Sequence, residues 1–302
     1  MKQIRVGGKI SAPQVVLGCM RLPGAENPER LVKTAIDGGV NFFDHADIYG
    51  GGESERVFGR LLNLRGADRA KVTIQSKCGI RNGFFDFSKE HILKSVDGIL
   101  ERLGTEYLDA LLLHRPDNLM EPEEIAEAFD KLKTAGKVRN FGVSNFNVRT
   151  VELLKTAVKD KLIINQLQYS PVHAFMSAQS LTVNNDFHEA ADRDGGILEY
   201  CRINNITVQA WSPFQYGLIK GAYLDNADFP EINAALLAVA EKYNITKTGA
   251  VAAWIARHPA DMQIIAGTTK PERLKEIICG ASVDISREEW YTIYRAGGFK
   301  LP

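Results

Sequence analysis

Paired cysteines are missing from this sequence. Cys19, Cys78, Cys201 and Cys279 lie far apart and none belongs to a Cys-x-x-Cys pair, which excludes the usual zinc-ribbon and redox-dithiol patterns and leaves reduced, structural thiols. No metal site is expected. An excess of charge of either sign is missing too. The 37 Lys plus Arg balance 37 Asp plus Glu, so no global field favours DNA, RNA or an anionic membrane, and an anionic ligand must be held by a local cluster. The opening residues MKQIRVGGKISAP contain no apolar signal core, and no run is long and apolar enough to span a bilayer. These absences predict a soluble, cytoplasmic protein without nucleic-acid or membrane partners, as monomer or dimer. Low-complexity tracts, short-period repeats and Ser/Gly/Pro-rich linkers are also absent, so residues 1–302 are expected to form a single domain.

What is present is a long alternation. Hydrophobic residues make up 45% of the chain, enough for a large core, and short β-rich apolar runs alternate with segments of helical period. After a hairpin expected at RVGGKI, strands are expected near Val15–Leu17, Asn41–Phe43, Val72–Ser76, Leu108–Leu113, Val138–Val143, Ile163–Gln166, Thr207–Ala210 and Gln263–Ala266. Helices fit between them at about 28–37, 54–64, 88–103, 122–135, 148–157, 195–204, 232–243 and 247–257, and Pro271 opens another. Gly38, Gly104 and Gly136 follow helical runs, where a positive φ is often needed. Eight strand–helix units predict an α/β fold, a (β/α)8 TIM barrel with an N-terminal β-hairpin and extra C-terminal helices. A doubly wound sheet binding a dinucleotide would put Gly-x-Gly-x-x-Gly after an early strand, whereas Leu-Gly-Cys-Met-Arg follows here. The segment of about 170–194 is unusually long for a loop and is a functional candidate.

In such a barrel the active site lies at the carboxyl ends of the strands. Asp44, Lys77 and His114 each directly follow an apolar strand run, and Tyr49 lies on the loop that Asp44 opens. Taken singly, each has a plain explanation: a turn aspartate, a solvated lysine, a satisfied histidine, a packing aromatic. Together they form a chemical set. An ammonium beside a phenol, whose ordinary pKa is about 10, favours the phenolate and makes the hydroxyl a better acid. Asp44 would hold Lys77 charged, and His114 could hydrogen-bond a substrate oxygen beside Tyr49 while negative charge develops there. The missing component is a hydride donor.

The strings GGVNFFDHADIYGGGES, SKCG, LLLHRPD, GKVRNFGVSNF, NQLQYSP and IIAGTTKPERLKE, in this order from about Leu17 to Glu276, resemble the aldo-keto reductase superfamily. The resemblance implies a barrel that binds NADPH, with NADH as the alternative, and reduces an aldehyde or ketone to an alcohol. It places a catalytic tetrad on Asp44, Tyr49, Lys77 and His114, with Tyr49 as general acid in reduction and base in oxidation. It further implies that Ser144, Asn145 and Gln166 grip the nicotinamide carboxamide and that Trp211 stacks on the ring. Ser212, Phe214, Gly217 and Leu218 correspond to the loop over the pyrophosphate, and Gly267, Thr268, Thr269, Lys270, Arg273 and Glu276 to the adenosine end. Lys270 and Arg273 could neutralise a ribose phosphate, which favours NADPH.

The sequence departs from the family pattern at several positions. Ile277 stands where several relatives carry an adenine-contacting Asn, and Ala222 where some carry a phosphate-binding Lys, for which Lys220 is a candidate substitute. His45 and Met20 replace common Thr and Trp neighbours, so the pocket near the reacting carbon should differ from that of the best-known aldose reductases. Phe175, Met176, Phe187 and His188 on the long loop are expected to shape the substrate pocket, Phe84, Phe85 and Phe87 to offer another wall, and Phe299 a partial lid. Two other functions fit parts of the pattern: a cofactor-binding regulatory protein similar to potassium-channel β subunits, and a lyase using Lys77 as a Schiff base.

Overall fold

The computed structural model describes residues 1–302 apart from Asn63 and Arg65. An antiparallel hairpin opens the chain, β1 (Gln3–Val6) against β2 (Ile10–Pro13), with Gly7 and Gly8 at φ of +56° and +73° in its turn. There follow β3 (Val15–Gly18), α1 (Pro28–Asp37), β4 (Phe42–Asp44), α2 (Glu53–Leu61), the single turn α3 (Gly66–Arg69), β5 (Thr73–Cys78) and α4 (Lys89–Leu103). The middle of the chain holds β6 (Ala110–Leu113), α5 (Pro122–Thr134), β7 (Phe141–Ser144), α6 (Val148–Lys155), β8 (Leu162–Gln168), α7 (Phe175–Leu181), α8 (Ile197–Ile203) and β9 (Thr207–Trp211). It ends with a two-residue ribbon, β10 (Gln215–Tyr216) and β11 (Gly221–Ala222), then α9 (Pro230–Tyr243), α10 (Lys247–Ala256), β12 (Gln263–Ala266), α11 (Pro271–Gly280) and α12 (Arg287–Ala296).

Strands β3 through β9 pair in parallel in sequence order, and β12 joins β9 to β3, closing an eight-stranded barrel. The eight expected strands are the eight staves. The helix expected over 54–64 is α2, and of its last residues Asn63 lies outside the described residues. The long loop after β8 contains a helix of its own, α7, which its polar, Asn-rich second half had hidden. Among the described residues, no helix is long and apolar enough to cross a membrane.

Local chemistry accounts for the helices. In α4 the Ser88 side chain accepts the His91 N–H at the start, Ile92, Val96, Ile99, Leu100 and Leu103 turn one stripe inward, and Gly104 at φ +66° ends the helix. Gly136 behaves as expected at φ +70°, but Gly38 does not: its φ is −81°, and the left-handed residue is the next one, Gly39 at +81°. Space at Gly38 is tight instead, since a Cβ there would come 2.7 Å from Ile278 Cδ1 of α11, whose side-chain end would have to shift.

Two features direct function to one end of the barrel. The hairpin plugs the amino-terminal end, where Ile4, Val6 and Ala12 pack against Val16, Phe42, Leu112, Ile163 and Ile265, and Gly7 presses so closely on Ile163 that no side chain fits. Above this apolar floor the interior turns polar. Gln75 and Gln209 exchange amide hydrogen bonds of 2.8 and 3.1 Å, Gln209 donates to Gln263 at 2.9 Å, and Gln263 donates to the carbonyl of Pro13 at 2.8 Å. On the outside, the Trp254 and Trp290 rings stack at 4.9 Å and each indole N–H donates to the other residue's carbonyl, which fixes α12 to α10.

Candidate active site

Asp44 is the last residue of β4, paired in register with Gly18 and Gln75, while Lys77 sits one residue before the end of β5, opposite Leu112. His114 follows β6, its N–H held by the Cys78 carbonyl at 3.0 Å. Tyr49 begins a tight turn, Tyr49–Gly52, in which Gly50 and Gly51 adopt φ of +59° and +63° that few other residues tolerate. Three neighbouring strands therefore deliver the four side chains to one mouth.

Lys77 is fully buried, and all three ammonium hydrogens have acceptors. Its Nζ lies 2.7 and 2.9 Å from the two Asp44 carboxylate oxygens, 2.9 Å from the His45 carbonyl and 3.1 Å from the Tyr49 hydroxyl. Burial works to lower the Lys77 pKa, yet Asp44 and Tyr49 together raise it above the ordinary lysine value, so the group stays charged. For Tyr49 the balance runs the other way from the expectation. Burial raises its pKa by more than Lys77 lowers it, so the phenol holds its proton in this site. Burial and the cations Lys77 and Arg115 drive His114 well below the usual imidazole range, which makes it a neutral group. Its ring meets the Tyr49 ring edge-on at 5.9 Å.

The tetrad opens on a cavity of about 320 Å³ at the carboxyl ends of the strands. Tyr49 and His114 line it together with Asp44, Ser144, Asn145, Gln166, Trp211, Ser212, Phe214, Gly267, Thr268 and Arg273. The wall built from the ends of β7, β8 and β9 is organised internally. Trp211 donates its indole N–H to Asn145 Oδ1 at 3.0 Å, Asn145 donates to Ser144 Oγ at 2.8 Å, and Ser144 donates to the Gln166 carbonyl at 3.0 Å. Asn145 holds a left-handed φ of 62°, a conformation that asparagine accepts more readily than most residues.

The aldo/keto reductase family profile matches residues 14–296. The chain belongs to this family. It is 35% identical over 283 residues to the oxidoreductase YdhF of Escherichia coli, covering 90% of this chain and 88% of that one. To a 6-dehydroglucose reductase of Agrobacterium fabrum it is 31% identical over 310 residues, 97% of each chain. The fold matches that of an aldo-keto reductase from Klebsiella pneumoniae solved with NADPH, with a TM-score of 0.76 at 24% identity over 97% of this chain and 94% of the other.

Not every expected aldo-keto reductase contact falls on the cavity. Gly217, Leu218, Thr269, Lys270 and Glu276 do not line it. Leu218 points to solvent at 68% exposure, the Gly217 carbonyl is taken by Gln168, and the Lys270 N–H caps back onto Thr268 Oγ1. Ile219 and Ala222, on either side of the β10–β11 turn's last residues, line the cavity instead. Lys220 is exposed and outside the lining, and Ile277 is buried in the core.

The expected substrate walls are also displaced. None of Phe84, Phe85, Phe87, Phe175, Met176, Phe187, His188 or Phe299 lines the cavity. Phe87 stacks on Phe146, and Phe175 and Phe299 close an aromatic chain that continues to Tyr294. Met20 does line it, joined by Arg21, Ile48, Ile80 and Arg115. Residues that strand-end reasoning passed over include Gln75, whose Nε2 donates to Asp44 Oδ1 at 2.6 Å. Gln166 Nε2 donates to the same oxygen at 3.0 Å, which leaves its own side-chain oxygen as the acceptor facing the cavity.

His45 lies behind the site, not in it. It is fully buried with its edge to Phe58 at 4.6 Å, and neither ring nitrogen has a partner among the described residues. Burial, aided by Lys77, lowers its pKa from 6.5 to about 3. Between those values the unfolded chain binds a proton that the folded one refuses, so stability falls as pH falls, by about 1.4 kcal/mol per unit and at most ~5 kcal/mol in all. Urea midpoints of wild type and His45→Leu, measured from pH 7 to 4, should therefore diverge, with wild type losing stability more steeply below pH 6.5. Parallel curves would show that His45 takes up its proton in the folded state.

Proposed function

We propose that this aldo-keto reductase uses NADPH, with NADH as a weaker alternative, to reduce an aldehyde or ketone to an alcohol, with Tyr49 as the general acid. One observation carries this reading. A phenol that keeps its proton, 3.1 Å from a buried ammonium with no free hydrogen, opens beside a neutral imidazole onto a cavity.

The residues toward the ends of β7, β8 and β9 suit a nicotinamide. The Gln166 side-chain oxygen can accept from a carboxamide, Ser144 and Asn145 offer further polar contacts, and Trp211, fixed through its indole N–H, presents a ring for stacking. When bound, the reduced nicotinamide supplies the hydride. The protein's part is to place the carbonyl oxygen between Tyr49 and His114, where the imidazole donates a hydrogen bond and Tyr49 gives its proton to the oxygen as charge builds there. Lys77 stabilises the phenolate that remains, and Asp44, held by two glutamine amides, keeps Lys77 in place. The same ion pair disfavours a Schiff base, since Lys77 has no lone pair to offer while its three hydrogens are engaged.

The test is NADPH consumption with a panel of reactive aldehydes and ketones. Tight cofactor binding without turnover on any of them would favour the regulatory alternative. Arg273 supports the choice of NADPH: it lines the cavity, is exposed, and makes no hydrogen bond or ion pair among the described residues. Arg273→Ala should raise the KM for NADPH by about tenfold or more, the worth of a charge-assisted phosphate contact, and leave the KM for NADH within about twofold. Equal effects on the two cofactors would place the 2′-phosphate elsewhere.

A further inference from the structure

Among the described residues, four arginines are buried or half-buried: Arg69, Arg102, Arg115 and Arg257. Three are paired inside the protein. Arg69 bonds Thr105, Asp109 and the carbonyls of Val72 and Tyr107, Arg102 bonds Glu55, and Arg257 bonds the Ile285 carbonyl and meets Asp284. Arg115 has no hydrogen bond or ion pair among the described residues. Its guanidinium carbon stands 5.6 Å from the centroid of the Trp211 ring, and the residue lines the cavity next to His114. Such a half-buried cation, with five N–H donors and no acceptor, is costly unless something else supplies oxygens. Burial accordingly pulls its pKa below the usual arginine value. Among the described residues Asp44 is the one carboxylate that lines this cavity, and it is already occupied by Lys77, Gln75 and Gln166. A second guanidinium, Arg21, lines the same cavity and is likewise without a partner among the described residues.

We propose that the carbonyl substrate carries a second, anionic group, a carboxylate or phosphate, which Arg115 grips in the cavity with Arg21 assisting from the rim. This rests on the reductase reading and names its substrate class. Arg115 is then the specificity residue: its planar fork matches two oxygens of an oxyanion, and adjacency to His114 ties recognition of the charge to placement of the carbonyl. Of the two cations expected to serve the cofactor phosphate, Arg273 lines the cavity and Lys270 does not.

Two matched pairs test the idea with NADPH as cofactor: 4-carboxybenzaldehyde against benzaldehyde, and 4-oxobutanoate against butanal. Wild type should favour at least one charged member by about tenfold or more in kcat/KM, mostly through KM, and added KCl should shrink the preference. In Arg115→Gln the ratio should collapse to about twofold or less, and Arg115→Lys should keep part of it. A binding measurement that needs no turnover accompanies these assays: calorimetry of 4-(hydroxymethyl)benzoate and of benzyl alcohol on the NADP⁺-loaded protein should show the same preference and its loss in Arg115→Gln. Equal use and equal binding of charged and neutral partners by wild type overturns the inference and leaves the reductase standing. An unchanged ratio in Arg115→Gln does the same, as does a drop in NADPH affinity of that variant, which would place Arg115 on the cofactor. If wild type oxidises NADPH with none of the aldehydes, the proposed reaction itself fails; selective binding of the carboxylate product would then still uphold the anion site.

Discussion

Replacing Tyr49 by Phe is expected to lower kcat for carbonyl reduction by about 10²–10⁴-fold, the usual worth of a positioned general acid, while NADPH binding stays within about twofold. The variant isolates one atom. The Tyr49 ring keeps its edge contact with His114, with centroids 5.9 Å apart, and stays 4.9 Å from the Lys77 ammonium, so packing and charge are largely preserved. What disappears is the hydroxyl 3.1 Å from Nζ, and with it the proton that the proposed mechanism gives to the substrate oxygen; the Lys77 ammonium hydrogens are engaged behind it. Steady-state assays on any accepted aldehyde, with fluorescence titration of NADPH alongside, check both halves. A Phe variant that keeps more than about a tenth of the wild-type kcat would mean that another group delivers the proton.

Lys77→Met should fail in two separable ways. Its kcat should fall by about 10²–10⁴-fold, because the phenolate left after proton transfer loses its counter-charge. Stability should fall by about 3–5 kcal/mol, because the Asp44 carboxylate remains buried without its partner. A second substitution divides these effects. In Asp44→Asn with Lys77→Met the stranded charge is gone, so most of the stability should return, read from urea midpoints, while kcat stays low. If activity returned together with stability, Lys77 would be a support for the fold and not a partner of Tyr49. If the single variant were as stable as wild type, Asp44 would be taking up a proton to escape its isolation.

Much of this was readable in the chain because the signals are local. Strand runs such as FFD and LLLH end in a polar residue at the point where a parallel stave leaves the barrel, so Asp44 and His114 could be chosen from position alone. The helix stripe of α4 and its Ser88 and Gly104 ends are equally local. The pocket walls were not readable. Phe84 lies on a loop, Phe175 opens α7 and Phe299 is near the end of the chain, and composition cannot tell whether such a residue faces a cavity, the core or solvent; here Phe84 is exposed and Phe299 is buried against Tyr294 of α12. The direction of the Tyr49 pKa was missed for a related reason. The ammonium was visible in the sequence, but the burial that outweighs it is a property of the closed site.

By itself the sequence determined the kind of fold, the order of its eight staves and which four side chains meet at their carboxyl ends, since each depends on residues close together in the chain. Tertiary structure decided which polar residues face inward. Gln75, Gln209 and Gln263 look like ordinary strand polars, and only closure of the barrel brings them together from three strands into a chain that ends on Asp44. Among the described residues, tertiary structure also left Arg115 without a partner, because pairing depends on which carboxylates remain unengaged once every other element has packed, and the one carboxylate lining its cavity, Asp44, is held by Lys77 and two glutamines.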